Sequence, residues 1–332
     1  MSRAKYDVLG IGNAIVDVIA PAEDDFLVSH GIQRGGMTLI DETRAETLYA
    51  ALGPATVASG GSAGNTIAGL ASFGGKGAYF GKVRNDELGR LFSHDIRAIG
   101  VDFATAPAEN GPATARSIII VTPDGERSMN TYLGACVELG PDDVDKATVE
   151  SAAVTYLEGY LWDPPAAKEA FRKASTIAHA AGRRVALTLS DSFCVDRYRA
   201  EFLDLMRSGV VDIVFANEAE LKSLYETSDF DSAFAALRAD ASLGVVTRSE
   251  RGAMAATRIE TVSVPAFPVD RLVDTTGAGD LFAAGFLHGL TSGRESVDCL
   301  RLGALAASEV ISHVGPRPHA NLAQLARDNG LA

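Results

Sequence analysis

From about residue 150 onward the chain alternates short apolar runs with amphipathic segments, and this rhythm restricts the fold more than any other feature. Residues 154–157, 184–189, 210–216 and 243–247 are apolar runs of strand length, and the segments between them have helical periodicity. One helix opens at Pro164-Pro165, where a fixed φ and a missing N–H suit a first turn. Two more helical segments, 281–290 and 296–312, follow a glycine-rich stretch. Strands separated by helices pair in parallel and are covered on both faces, so the expected fold is α/β with a mostly parallel central sheet.

The N-terminal part is less regular. Residues 6–11 read as a buried strand, 63–73 and 87–99 as helices, and 77–83 as a strand between them. Residues 117–122 are rich in β-branched side chains and run into Pro123-Asp124-Gly125, a hairpin signal whose second arm is 127–133. Segments 13–41 and 107–135 hold hairpin-like material outside the alternation. They are expected to form a small β appendage on one domain spanning residues 1–332.

Thirty basic residues against 43 acidic ones give a net charge of −13, with no run of Lys or Arg. That balance disfavours nucleic acid and anionic membranes as partners. It also requires any phosphate site to be built locally, from backbone N–H groups and metal. Cys136, Cys194 and Cys299 are odd in number and widely spaced, which suits a reducing compartment. No cleavable signal pattern opens the chain, and no apolar run approaches the ~20 residues needed to span a bilayer. The expectation is a soluble, cytoplasmic protein.

Two glycine-rich stretches each lead into a helix, Ser59-Gly60-Gly61-Ser62-Ala63-Gly64-Asn65-Thr66 and Val273-Asp274-Thr275-Thr276-Gly277-Ala278-Gly279-Asp280. In the second, Gly277 and Gly279 allow close backbone approach, and the following helix offers unpaired N–H groups and a positive dipole end. The combination suits a phosphate or the charge developing on one. Asp280 falls in the first turn beside it, where a carboxylate can take a proton from an alcohol during phosphoryl transfer. The plainer reading of Asp280 is a helix N-terminal acid.

Asn217 and Glu220 follow an apolar run and lie one helical turn apart. They project towards one cleft, or they are a cap and a first-turn acid. Asp17 reads as a polar strand residue and Arg127 as a solvated charge unless further context recruits them. The run Gly10-Ile11-Gly12-Asn13-Ala14-Ile15 begins like a dinucleotide fingerprint, but Ile15 stands where Gly or Ala is needed, and a strand pattern follows. No Walker motif, metal-ligand spacing or Ser-His-Asp set is present.

Taken together, these motifs resemble those of the ribokinase-like, phosphofructokinase-B-type carbohydrate and nucleoside kinases, and among them the adenosine-kinase branch. The most specific match is Asp274–Asp280; Gly60–Thr66 and Gly12–Asp17 are the others. The resemblance implies a ribokinase-like α/β fold with a small β-sheet lid, and ATP and Mg²⁺ as cofactors. It implies that Asp280 is the catalytic base and that Gly277, Ala278 and Gly279 form the anion hole. Asn13, Asp17, Gly61, Gly64 and Asn65 are similar to acceptor contacts, Asp17 holding a vicinal diol. Asn217 and Glu220 match an N-x-x-E element that organises Mg²⁺ through water and phosphate, with no direct protein ligand to the metal. Thr247 and Thr275 fall on the ATP side. Arg127 resembles a lid arginine that reaches the transferring phosphate on closure.

Two departures stand out. Arg84-Asn85 replaces a Gly-Asp pair, and Thr247-Arg248-Ser249 lacks a nucleotide-side glycine. A monovalent cation such as K⁺ near the Asp274–Thr276 loop is a further expectation of the resemblance, as is a monomer or homodimer. The expected activity is ATP-dependent phosphorylation of a nucleoside 5′-hydroxyl, adenosine first. A sugar kinase acting on fructose, ribose or a keto-deoxy acid is the alternative, and a non-catalytic nucleoside- or sugar-binding protein the other class.

Overall fold

The computed structural model describes residues 4–331. The first half of the chain runs β1 (Tyr6–Ile11), β2 (Ile15–Pro21), α1 (Asp24–Ser29), β3 (Met37–Leu39), α2 (Glu42–Ala51) and β4 (Thr56–Ser59). It continues with α3 (Ser62–Ser72), β5 (Gly77–Phe80), α4 (Glu87–Ala98), β6 (Ala115–Val121) and β7 (Arg127–Tyr132). The alternating part is α5 (Lys146–Ser151), β8 (Ala152–Glu158), α6 (Pro165–Ala180), β9 (Arg184–Thr188), α7 (Ser192–Arg207) and β10 (Ile213–Asn217). After it come α8 (Glu218–Leu224), α9 (Phe230–Asp240), β11 (Leu243–Thr247), β12 (Ala253–Ala256) and β13 (Thr261–Val264). The chain closes with α10 (Ala278–Thr291), α11 (Ser296–Val310) and α12 (Leu322–Asp328).

An eight-stranded sheet has the order β13-β12-β11-β10-β9-β8-β1-β5. It is parallel from β5 to β11, and β12 and β13 add an antiparallel edge. Each central strand is apolar on both faces because helices cover both. On β10, Ile213 and Phe215 join the core under α10 and α11, whereas Val214 and Ala216 join the core under α6 and α7. Burying each large apolar side chain of this kind contributes about 1.5–3 kcal/mol. The chain leaves β1 towards β5 on one side and later returns to β8 on the other. The strand order therefore reverses beside β1, where a crevice opens at the carboxyl ends of the strands.

The second sheet has five strands in the order β3-β7-β6-β2-β4. Its β6–β7 pair is the hairpin predicted at Asp124-Gly125, with Gly125 at φ 86° and its N–H donating to Thr122 O. The sheet differs from the expected 13–41 contribution in two ways. Residues 24–29 are helical, with Asp24 and Asp25 in the first turn and Leu27 buried. A further strand, Thr56–Ser59, lies beyond residue 41; its exposed Thr56 and Val57 gave it no alternating signature. No helix among the described residues is long and apolar enough to cross a membrane.

Candidate active site

α10 is set in place by an unusually close helix pair. A Cβ on Gly303 would lie 2.8 Å from Phe282 O, and one on Gly285 would collide with Leu302 O, so α10 and α11 touch backbone to backbone. The N-terminus of α10 faces the crevice. Its cap, Gly277, is left-handed at φ 78°, and a Cβ there would sit 2.7 Å from Pro316 O. Only glycine accommodates both the conformation and the contact. The N–H groups of Gly277, Gly279 and Asp280 have no backbone partner among the described residues. A Cβ on Gly279 would meet nothing within 4 Å, so open space lies against it at the cavity.

Asp280 lies in the first turn of α10, held by Ser62 Oγ (2.6 Å to Oδ1) and Asn65 Nδ2 (3.1 Å to Oδ2). Burial pushes its carboxyl up to about 6, and these two donors oppose that rise. It remains mostly ionised at neutral pH while having appreciable proton affinity, which is what a general base requires.

Asp280 opens onto a cavity of about 660 Å³ between the two sheets. Asn13, Asp17, Gly61 and Asn65 line one end. Gly61 caps α3 at φ 84°, a position where a Cβ would collide with Asn13 O. Asp17, on β2, is 8% exposed, and burial raises it to about 7 against the opposing charges of Arg317 and Arg127. The wall above this end comes from the second sheet and is largely apolar, with Met37, Leu39, Ile119 and Met129 beside the mutually paired hydroxyls of Ser117 and Thr131. Gly64 is buried within α3 and is not part of the lining.

Asn217, Glu220, Thr247 and Thr275 line the other end, with Phe267, Ala304 and Ala307 beyond them. Asn217 and Glu220 form a reciprocal capping box. Asn217 N donates to Glu220 Oε2 (3.0 Å), and Glu220 N donates to Asn217 Oδ1 (2.9 Å), while Asn217 Nδ2 reaches Glu220 Oε1. Both earlier readings thus coexist, since the cap itself faces the cavity. Burial pushes Glu220 up to about 7. Ser249, at the departure from the glycine pattern, keeps a left-handed backbone at φ 52° and lines the cavity. Asp86 caps α4 and accepts from Thr114, a structural role.

Arg127 is not in the cavity lining. It is buried at the start of β7, and its Nη2 is ion-paired with Asp274 Oδ2. Nε and Nη1 are buried without a hydrogen-bond partner. Such donors await an acceptor, since an unmade buried hydrogen bond costs about 1–3 kcal/mol. Asp274 also accepts from Thr276 N (3.0 Å) and Gly315 N (2.9 Å), which ties the second sheet, the anion-hole loop and the C-terminal loop together.

Two site residues escaped sequence reasoning. Glu158 ends β8 at the reversal of strand order and is 1% exposed. It accepts from Asn13 Nδ2 (2.7 Å) and Ala63 N (2.9 Å). An acid ending an otherwise apolar run was the available signal. Arg317, in Pro316-Arg317-Pro318, reaches Asn65 from the far end of the chain and had none.

No group of three His, Cys, Asp or Glu side chains suited to hold a metal occurs among the described residues. The donors do fit a phosphate-bound Mg²⁺, with the unpaired N–H groups of α10, open space at Gly279 and the Glu220 carboxylate around one cavity.

Residues 38–321 match the family described as pfkB family carbohydrate kinase. A structure of adenosine kinase from Sinorhizobium meliloti is 62% identical, with a TM-score of 0.93, covering 98% of this chain and 100% of that one. A probable sugar kinase from Rhizobium etli CFN 42 is 58% identical, with a TM-score of 0.95, covering 99% and 100%. Adenosine kinase 2 of Arabidopsis thaliana is 27% identical, covering 95% of this chain and 96% of its own length.

Proposed function

The chain belongs to the pfkB family of carbohydrate kinases, ATP-dependent phosphotransferases with a ribokinase-like fold, and we propose that its acceptor is adenosine, phosphorylated on the 5′-hydroxyl. The observation that carries the reading is Asp280, a half-buried carboxylate beside unpaired helix N–H groups in the same cavity as Asp17. The apolar wall of Met37, Leu39, Ile119 and Met129 favours an acceptor with a flat apolar ring over a bare sugar, whose hydroxyls would lose hydrogen bonds against it.

Asp17 accepts two hydroxyls of the ribose, one on each carboxylate oxygen, and so aims the 5′-hydroxyl at Asp280. Asp280 takes the hydroxyl proton as the oxygen attacks the γ-phosphorus. The N–H groups of Gly277 and Gly279 stabilise charge on the moving phosphoryl group, where a preorganised donor is worth about 3–4 kcal/mol, whereas that of Ala278 donates to Thr275 O at 3.2 Å. Asn217 and Glu220 would help hold a phosphate-bound Mg²⁺ through water, and the ion would supply charge neutralisation to the nucleotide. Thr247 and Thr275 flank the same phosphates, and a K⁺ ion would sit against the Asp274–Thr276 loop. The second sheet serves as the lid, and Arg127 exchanges Asp274 for the phosphate as the lid closes, excluding water.

The test is ADP release from Mg-ATP with adenosine, inosine, guanosine, ribose and fructose offered as acceptors. Turnover with adenosine well above the sugars is the expected result. Turnover with a sugar alone moves the acceptor to the class named for the Rhizobium etli relative and leaves the mechanism intact. Nucleoside binding without any ADP would overturn the catalytic reading.

A further inference from the structure

The loop between α11 and α12 is fastened along its length. Gly315 N donates to Asp274, Pro316 packs behind Gly277, and His319 N and Ala320 N donate to Glu309 Oε1 at 2.9 and 2.8 Å. Ser72 Oγ closes its far end with bonds to Ala320 O and Leu322 N. Arg317, in the middle, is therefore held behind the cavity wall by a fixed backbone, outside the lining itself but against Asn65, which is part of it.

Its Nε donates to Asn65 Oδ1 at 3.5 Å, and Asn65 Nδ2 in turn donates to Asp280 Oδ2 at 3.1 Å. An amide has one acceptor end and one donor end. With the guanidinium against the oxygen, the NH₂ must face the carboxylate. Flipped, the amide would set oxygen against oxygen beside Asp280. The charge of the same cation also favours the ionised form of Asp17, which lines the same cavity as Asn65. Three charged groups act on that carboxylate: Arg317 from this loop, Arg127 from β7, and Asp280 from α10 with the opposite sign. Nη2 of Arg317 is buried without a partner, a cost that packing alone does not explain.

We infer that Arg317 is a positioning residue for the phosphoryl transfer, turning the Asn65 amide towards Asp280 and holding Asp17 as the anion that a diol requires. The inference rests on the roles proposed above for Asp280 and Asp17. The two tasks need different properties of the side chain, a directed donor for Asn65 and a positive charge for Asp17.

The experiment is kcat and acceptor kcat/KM from pH 5.5 to 9 for the wild type, Arg317→Met, Arg317→Lys and Arg317→Gln, with KM for ATP and Tm alongside. Arg317→Met should lower acceptor kcat/KM about 10- to 100-fold at pH 7 and move its acidic limb up by about one pH unit, because the opposing charge is gone. Arg317→Lys keeps the charge without the planar fork, so the limb stays while kcat falls several-fold. Arg317→Gln keeps a donor without the charge, so the limb moves while kcat at high pH stays close to wild type; it also carries the test if the methionine variant does not fold. KM for ATP should be unchanged throughout. Identical profiles for all three variants, whether wild-type-like or uniformly depressed, overturn the inference. Asp280→Asn measured in parallel separates the two levels. Retained turnover there sinks the proposed base, whereas a dead Asp280→Asn beside wild-type-like Arg317 variants sinks only the role of Arg317.

Discussion

Asp280→Asn exchanges one carboxylate oxygen for an amide nitrogen and so removes the proposed base without emptying its place. The lost proton acceptor should cost ~10²- to 10⁴-fold in kcat, about 3–5 kcal/mol in barrier height. Stability should move the other way. Burial raises this carboxyl from 3.8 to about 6, so above pH 6 the folded protein carries an ionised group that would be better solvated unfolded. Two pKa units are worth at most about 3 kcal/mol. One of the two donors, Ser62 Oγ or Asn65 Nδ2, then faces an NH₂ group, which costs about 1 kcal/mol in return. The net expectation at pH 8 is a variant that is catalytically silent and about 1–2 kcal/mol more stable. Steady-state ADP release, acceptor and nucleotide titrations, and thermal melts at pH 8 measure the three quantities. The wild-type kcat should also fall towards acid, with the base about nine-tenths ionised at pH 7 and about one-tenth at pH 5. Turnover above about a tenth of wild type, or lost stability together with weakened ligand binding, would refute the reasoning.

Arg127→Ala should lower kcat more than it weakens acceptor binding, because its phosphate contact forms only on lid closure; equal losses in both would remove that role. The same change leaves Asp274 buried beside two N–H donors without its cation, and Tm should fall, since breaking a buried pair costs up to about 3–5 kcal/mol. For the ligand-free protein, the carboxyls of Asp17, Glu158 and Glu220 are raised to about 7 by burial, so the folded state binds more protons than the unfolded one. That stability is full below the ordinary carboxylate pKa of ~4 and is lost as pH rises through 7. The apo protein should therefore melt several degrees higher at pH 6 than at pH 8, and a flat Tm across that window would show that these groups titrate normally.

The tension between stability and activity follows from where the carboxylates sit. Each must be ionised to bind or to accept a proton, and each lies where ionisation is costly. Ligand hydroxyls and phosphate-bound metal supply the missing partners.

Much of this was written locally in the chain. The run Asp274–Asp280 carries its own logic, because the glycines, the helix start and the acid interact within a few residues. The parallel sheet followed from apolar runs buried on both faces, and the hairpin from Asp124-Gly125. The antiparallel edge was legible only in its last strand, where Thr261-Val262-Ser263-Val264 alternates polar and apolar residues. Residues 253–256 are Ala-Met-Ala-Ala, with no alternation to mark a strand, and only pairing with β11 makes them one. The rest of the site depended on distance. Glu158 gains its role from Asn13, 145 residues away, and Arg317 from Asn65, 252 residues away. Arg127, read as a solvated charge until a resemblance recruited it, is buried where the loop before α10 brings Asp274 against β7. Periodicity and capping act over one or two turns and can be read along the chain. Burial of a charge, and the partner that makes it tolerable, exist only once remote segments have packed together.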